Sequence, residues 1–253
     1  MKLPERDKKF IEENLQPPYN TPDRVEEFIR SKVQIPDMLC TATKASVKKL
    51  IEPLSEEHGN RFFCRIDDSH QQKSPSSIIE KIRRSQEKKA GSRKPKLYDL
   101  ENFTQEITDL ARFRVVCNFI SDAEKVAEAI EKSPKLTDKF NIVKEDSITL
   151  RPRNRKSGNR FIKLTLEYKD QPGLFLEIQV MTQLQEAWDK KDHFLVYEKR
   201  RNEPERDEEN FPDFLDAKMF AMSELLYVAD QYFEQLRKTE EDDTGSEGSD
   251  EIT

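Results

Sequence analysis

Two apolar stretches, far apart in the chain, each carry one carboxylate, and this constrains the fold more than any other feature. The first is Ile107-Thr-Asp-Leu-Ala-Arg-Phe-Arg-Val-Val-Cys117, with Asp109 near its start. The second is Leu174-Phe-Leu-Glu-Ile-Gln-Val180, with Glu177 at its centre. Both read as central strands. A lone carboxylate in an apolar strand is costly unless it finds a partner. Two of them suggest a shared cation, and the basic stretches around them suggest a ligand that carries phosphate. Strand alternation puts Asp109, Ala111, Phe113, Val115 and Cys117 on one face. Leu110, Arg112, Arg114 and Val116 fall on the other. Glu177 and Gln179 share a face of the second strand.

The segments between these strands set the architecture. Residues 1–58 read as helical: Thr21-Pro22 is a cap followed by proline at the first helical position. Val25, Phe28 and Ile29 form the stripe of one helix. Val47, Leu50, Ile51 and Leu54 form that of a second, over Thr41 to Leu54, which Pro53 kinks or ends. Residues 61–66 read as a strand, and Ser76 opens a helix whose start holds Ser74, Ser77 and Lys81, a place that favours phosphate. From Lys81 to Lys96 there are eight basic residues and one acid. A helix over 122–132 and a strand from Phe140 follow. Arg151 to Arg160 holds five basic side chains and a glycine, which suits either a phosphate-approach loop or a charged hairpin. Strands over 160–168 and 174–180 meet at the turn Asp170-Gln-Pro-Gly173. A helix over 183–197 is anchored by Trp188, with Asp189, His193 and Tyr197 on one polar stripe.

Strand–helix–strand followed by a hairpin implies a mixed sheet, hence an α+β domain over 59–200. Residues 201–210 read as a charged linker. Leu215, Met219, Met222, Leu226, Ala229, Phe233 and Leu236 form a heptad seam that docks on the core or pairs subunits. Residues 239–253 hold seven acids and no base and read as a disordered tail. The net charge of -6 argues against bulk affinity for nucleic acid but leaves room for basic patches. Cys40, Cys64 and Cys117 fit neither a disulfide framework nor a zinc spacing. With no signal peptide and no apolar run long enough for a membrane span, they point to a cytoplasmic protein with no membrane partner.

Four blocks, in order over roughly residues 60–200, resemble the synthetase domain of the RelA/SpoT enzymes and the small alarmone synthetases. Lys73-Ser-Pro-Ser-Ser-Ile-Ile-Glu-Lys81 is similar to the family's R-x-K-x-x-x-S-I-x-x-K segment. Asp109-Leu-Ala-Arg-Phe-Arg-Val is similar to D-[LV]-A-G-[IV]-R-[IV]. Gly158-Asn-Arg-Phe-Ile-Lys163 stands where G-Y-R-S-[IL]-H is expected. Leu176-Glu-Ile-Gln-Val-Met-Thr182, then Trp188, His193 and Tyr197, resembles the ending [VL]-E-[IV]-Q-[IV]-R-T…W…H-x-x-x-Y-K.

The resemblance implies a nucleotidyltransferase-like mixed sheet flanked by helices, with helical extensions at both ends. It implies a pyrophosphokinase that moves the β,γ-pyrophosphate of ATP to a ribose 3′-hydroxyl, usually of GDP or GTP, giving (p)ppGpp, with no built-in hydrolase. Asp109 and Glu177 would be catalytic and would hold Mg2+. Lys73, Ser77 and Lys81 would hold ATP phosphates. Arg114, Lys163, Gln179, His193 and Tyr197 would complete the nucleotide site. Partners implied are ATP, the acceptor nucleotide, a second copy of the chain or an inhibitory protein. Alternatives are a toxin-type member acting on the tRNA 3′ end or on an adenosine nucleotide, and a degenerate nucleotide-binding module. The sequence departs from the family at Gln71 for arginine, Arg112 for glycine, Asn159 for the guanine-stacking tyrosine, Lys163 for histidine, Met181 for arginine and Glu198 for lysine.

Overall fold

The computed structural model describes residues 3–58, 62–69, 71–87, 99–143, 158–197 and 213–246. Most of the basic segment 81–96, the loop 151–157, the linker 201–210 and the end of the acidic tail lie outside the described residues.

Among the described residues, five strands form one sheet in the order β1-β2-β5-β4-β3. They are β1 (Cys64–Asp67), β2 (Arg112–Cys117), β3 (Phe140–Val143), β4 (Ile162–Tyr168) and β5 (Phe175–Thr182). β2 runs parallel to β5, and the other neighbours are antiparallel. The sheet is therefore mixed, as the order of elements implies. β4 and β5 form the expected hairpin, with Gly173 at φ +85° where a side chain would be strained.

One sheet face is apolar. Phe113, Val115, Leu164, Leu166, Leu176, Ile178 and Val180 pack there against Val47 and Ile51 and against α5 (Ile120–Lys132), whose Ala123, Val126, Ala127 and Ile130 are buried. A second core joins α1 (Glu5–Asn14), α3 (Pro75–Glu87) and the short α4 (Phe103–Glu106) through Ile11, Ile78, Ile79, Ile82, Phe103, Ile107 and Leu110. The four-residue α6 (Pro134–Thr137) leads into β3.

α2 (Pro22–His58) serves both cores. The two helices expected in this region are one, running through Pro36 and Pro53. Val25, Ile29 and Val33 sit in the second core, and Val47 and Ile51 in the first. Burial at both ends outweighs the helix hydrogen bonds that the prolines remove.

Asp109 is not a strand residue. It lies in the turn after α4, and β2 begins three residues later. Ile107 and Leu110 are buried in the second core, so the apolar run that looked like the start of a strand is a turn anchored by its side chains. Strand alternation therefore does not govern Asp109, and the expected opposition of Asp109 and Arg114 fails.

The helix after β5, α7 (Gln183–Asp192), ends in a π-helical turn over His193–Tyr197. The last helix, α8, spans Asp213–Ser246, into the segment read as a tail. It docks on the core. Trp188 Nε1 donates to Met219 O at 2.8 Å, and Thr182 Oγ1 to Asp230 Oδ2 at 2.7 Å. Arg237 pairs with the fully buried Asp122 at 2.7 Å. The docked line is largely polar, while Met222, Phe233 and Leu236 of the heptad seam face solvent.

Candidate active site

One end of the site is built where α3 begins. Ser74 caps this helix: its Oγ accepts from the Ser77 N–H at 3.3 Å, with Pro75 at the first helical position. Just before it, Lys73 N–H donates to Leu110 O, and Arg112 N–H to Gln71 O, each at 2.8 Å. These bonds tie the entry to α3 against the turn that holds Asp109. Lys73 Nζ then lies 2.7 Å from Asp109 Oδ2, and Lys81 Nζ, about two helical turns on from Ser74, lies 2.9 Å from Asp109 Oδ1.

Burial alone would raise the Asp109 pKa, but the two ammonium groups outweigh it and hold the carboxyl well below the usual range. For Lys73 the balance goes the other way. Burial pulls its pKa down despite Asp109, with Lys81 and Arg112 adding repulsion. Two cations around one anion leave a net positive site.

This cluster faces a cavity of about 420 Å³ lined by Gln72, Lys73, Ser74, Ser77, Asp109, Arg112, Arg114, Asp189, Lys190 and His193. Hence Lys73, Ser77, Asp109, Arg114 and His193 line one cavity. Lys81 joins them through Asp109. Asp67 stands beside Lys190 at 4.0 Å. Its carboxyl is pulled to about 2, against its burial, by the backbone and hydroxyl of Ser69 and then by Lys190.

The other expected residues lie on the polar face of the sheet. The register sets Arg112 beside Glu177 and Arg114 beside Gln179, with Thr165 and Lys163 opposite them on β4. A continuous chain of contacts results. Lys163 Nζ is 3.3 Å from Glu177 Oε2. Gln179 donates to Glu177 Oε1 at 2.6 Å and accepts from Arg114 Nε at 3.0 Å. Arg114 reaches on to Asp189 at 2.5 Å. Glu177 is buried yet fully engaged, so its charge is compensated inside the sheet. Its backbone N–H binds Ala111 O at 3.1 Å, two residues past Asp109. The side chain of Tyr197 lies outside the described residues.

Sequence reasoning did not assign Arg112, Asp189, Lys190 and Gln72 to the site. Arg112 was readable: it alternates with Arg114, so both belong to the polar face. Asp189 was noted only as part of a helical stripe. Of the basic run, Arg83 is taken up by the buried Asp7 at 2.9 Å and Arg84 by Glu80 at 3.2 Å. These two are packing groups.

Several departures from the family pattern have physical accounts. Gln71 ties to α2, donating to Asp37 at 2.7 Å and Thr41 at 3.0 Å and accepting from Lys44 at 2.9 Å. Met181 is fully buried with Val116 and Phe161. Arg160 is buried against α8, bonded to Ser223 and Glu224, with its guanidinium 4.2 Å from the Tyr227 ring centroid. Gly158, at φ +82°, meets the same helix, where an added Cβ would lie 2.9 Å from that of Ser223. Asn159 sits between them with a buried side-chain oxygen that accepts no hydrogen bond among the described residues. Glu198 lies outside the described residues.

A mixed sheet with a parallel β2–β5 pair, a capped helix and a lysine-bracketed carboxylate at a charged cavity defines the α+β domain. Residues 70–202 match the family described as the region found in RelA / SpoT proteins, and the chain belongs to that family. No curated protein matches it. Among solved structures, the chain is similar to small alarmone synthetase 1 from Bacillus subtilis bound to its product pppGpp. That match has 20% identity and a TM-score of 0.59 and covers 82% of this chain and 95% of that one. The same enzyme bound to AMPCPP matches at 19% identity and a TM-score of 0.54, covering 82% and 94%. A GTP pyrophosphokinase family protein from Streptococcus pneumoniae matches at 18% identity and a TM-score of 0.57, covering 85% and 93%. The architecture is thus the small alarmone synthetase fold. Among the described residues, no helix is long and apolar enough to cross a membrane.

Proposed function

We propose that this chain is an ATP-dependent pyrophosphokinase whose acceptor is the ribose 3′-hydroxyl of GDP or GTP. The observation that carries the reading is the Lys73–Asp109–Lys81 cluster on a cavity at the start of α3. Membership of the RelA/SpoT family and the likeness to a synthetase bound to pppGpp support it.

Lys73 and Lys81 hold the β- and γ-phosphates, and the Ser77 N–H and hydroxyl add donors at the helix start. Arg112 and Arg114 extend the positive wall along β2. The acceptor oxygen attacks the β-phosphorus, the bond from that phosphorus to the oxygen bridging the α-phosphorus breaks, and AMP leaves. Glu177 receives the hydroxyl proton, with Lys163 and Gln179 fixing its orientation. His193 lines the same cavity.

Mg2+ suits this donor set, because it takes one or two carboxylates and fills its shell with phosphate oxygens and water. Asp109 supplies a hard oxygen donor on the cavity wall, and Glu177 lies on the adjoining sheet face. Among the described residues no cluster of three or more His, Cys, Asp or Glu exists that could hold a metal without such help. When bound, the ion would neutralise charge on the transferring phosphates; Asp109 and Glu177 would hold it.

Acceptor choice is read by incubating the protein with γ-labelled ATP and Mg2+, offering GDP, GTP, ADP and deacylated tRNA separately. Label in GDP or GTP is the expected result. Label only on tRNA or ADP would move the reading to a toxin-type activity, which Asn159 favours because it offers no ring to stack on guanine. No transfer to any acceptor, with ATP bound, would leave a nucleotide-binding module.

A further inference from the structure

The register of β1 on β2 sets Cys64 directly opposite Cys117. Asn118 N–H donates to Phe63 O at 3.2 Å, one step outside this pair, which marks it as a non-hydrogen-bonded antiparallel pair. Cα atoms in such pairs lie about 4.5 Å apart with the side chains close, within the roughly 4.4–6.8 Å that a disulfide spans. Both side chains are on the apolar sheet face: Cys117 is fully buried there and Cys64 packs against the same core. The thiols interact, which lowers the pKa of Cys64 despite its burial and raises that of Cys117, whose burial adds to the rise.

The two positions differ in access. Cys64 is half-buried and lines a cleft of about 570 Å³ between β1 and the C-terminal half of α2, beside Lys48 and Glu52. Cys117 is closed off behind it. We propose that Cys64 and Cys117 are a peroxide-responsive pair that closes to a cross-strand disulfide, with Cys64 reacting first and Cys117 resolving. The Cys64 sulfur attacks one peroxide oxygen, the O–O bond breaks and hydroxide leaves, giving a sulfenic acid. The Cys117 sulfur then attacks the Cys64 sulfur, the S–O bond breaks and water leaves. Two thiols lose two electrons, and the peroxide is reduced to two waters. The product staples an edge strand whose other end leads through Asp67 towards Lys73. Cys40 is excluded from this chemistry: its thiol is fully buried on α2, and burial pushes its pKa up to about 12. The inference does not depend on the proposed reaction.

The native full-length chain is treated with hydrogen peroxide, its thiols are counted, and non-reduced peptides are mapped by mass spectrometry. The expected result is a fall from three free thiols to one, with a Cys64–Cys117 linked peptide and no covalent dimer. Cys117→Ser should trap a dimedone adduct at Cys64, and Cys64→Ser should give none at Cys117. Three thiols remaining, a disulfide that uses Cys40 or joins two chains, or a dimedone adduct on Cys117 overturns the proposal.

Discussion

The halves of the site that the proposed function assigns to donor and acceptor are built on opposite plans. On the donor side, Lys73, Lys81 and Asp109 converge on open space, and the cations outnumber the carboxylate. On the acceptor side, polar groups are already spent on one another. Lys163, Glu177 and Gln179 bond to one another and reach Arg114 on the cavity wall, and Arg160 and Gly158 are sealed under α8. An excess of one charge facing a cavity is poised for an anionic ligand. A self-satisfied network fixes geometry and gives little away until something displaces a member. On the proposed function, the donor half keeps its charges facing the cavity, and the acceptor half engages its polar groups with one another.

The sharpest way to break this comparison is Asp109→Asn. We expect transfer to fall by about 10³-fold or more, with the far-UV circular dichroism spectrum unchanged. Activity within tenfold of wild type would show that the donor half does not centre on Asp109. The next effect is on stability. Arg237→Leu strips the partner from the buried Asp122, whose pKa burial already raises. A loss of about 3 kcal/mol follows, read as a drop in Tm of roughly 10 °C. An unchanged Tm would mean that α8 is held elsewhere.

Glu177→Gln keeps the shape and a hydrogen-bonding oxygen but cannot take a proton. It should cost about 10²-fold in kcat and leave the Kd of a non-hydrolysable ATP analogue, measured without Mg2+, within twofold. Equal losses in both would assign Glu177 to donor binding instead. The smallest effect is a pH shift at Lys73. Its pKa lies below the ordinary 10.5 because of burial. Between the folded and unfolded pKa values the unfolded chain binds more protons, so this group adds stability as pH rises through that window. Over the same window the site loses a cation. ATP-analogue binding should therefore weaken at alkaline pH sooner than an ordinary lysine allows, and Lys73→Arg, which stays charged, should flatten the fall. Identical pH profiles for the two proteins would remove Lys73 from phosphate binding.

Legibility in the sequence differed between the halves. Helix α3 was readable because Ser74, Pro75 and Lys81 act locally, through a cap, a fixed φ and helical spacing. Strands β4 and β5 were readable from alternation. Asp109 was misplaced because Ile107 and Leu110 look like strand residues but are buried in a different core from Phe113. Periodicity reports that a residue is buried and says nothing of which core buries it. The seam on α8 misled in a related way. Met219 and Leu226 meet Trp188, but Ser223, Asp230 and Arg237 make the polar contacts that dock the helix.

The amino-acid sequence alone determined the start of α3, the β4–β5 hairpin, the mixed sheet and the two carboxylates, because capping, alternation and turn chemistry act over a few residues. Only the tertiary structure decided that Lys73 and Lys81 close on Asp109, that Glu177 is engaged by Lys163, that Gln71 belongs to α2, and that Cys64 faces Cys117. Each of those pairings depends on strand register or helix docking. These are set by the burial of many side chains at once and cannot be read from any one segment.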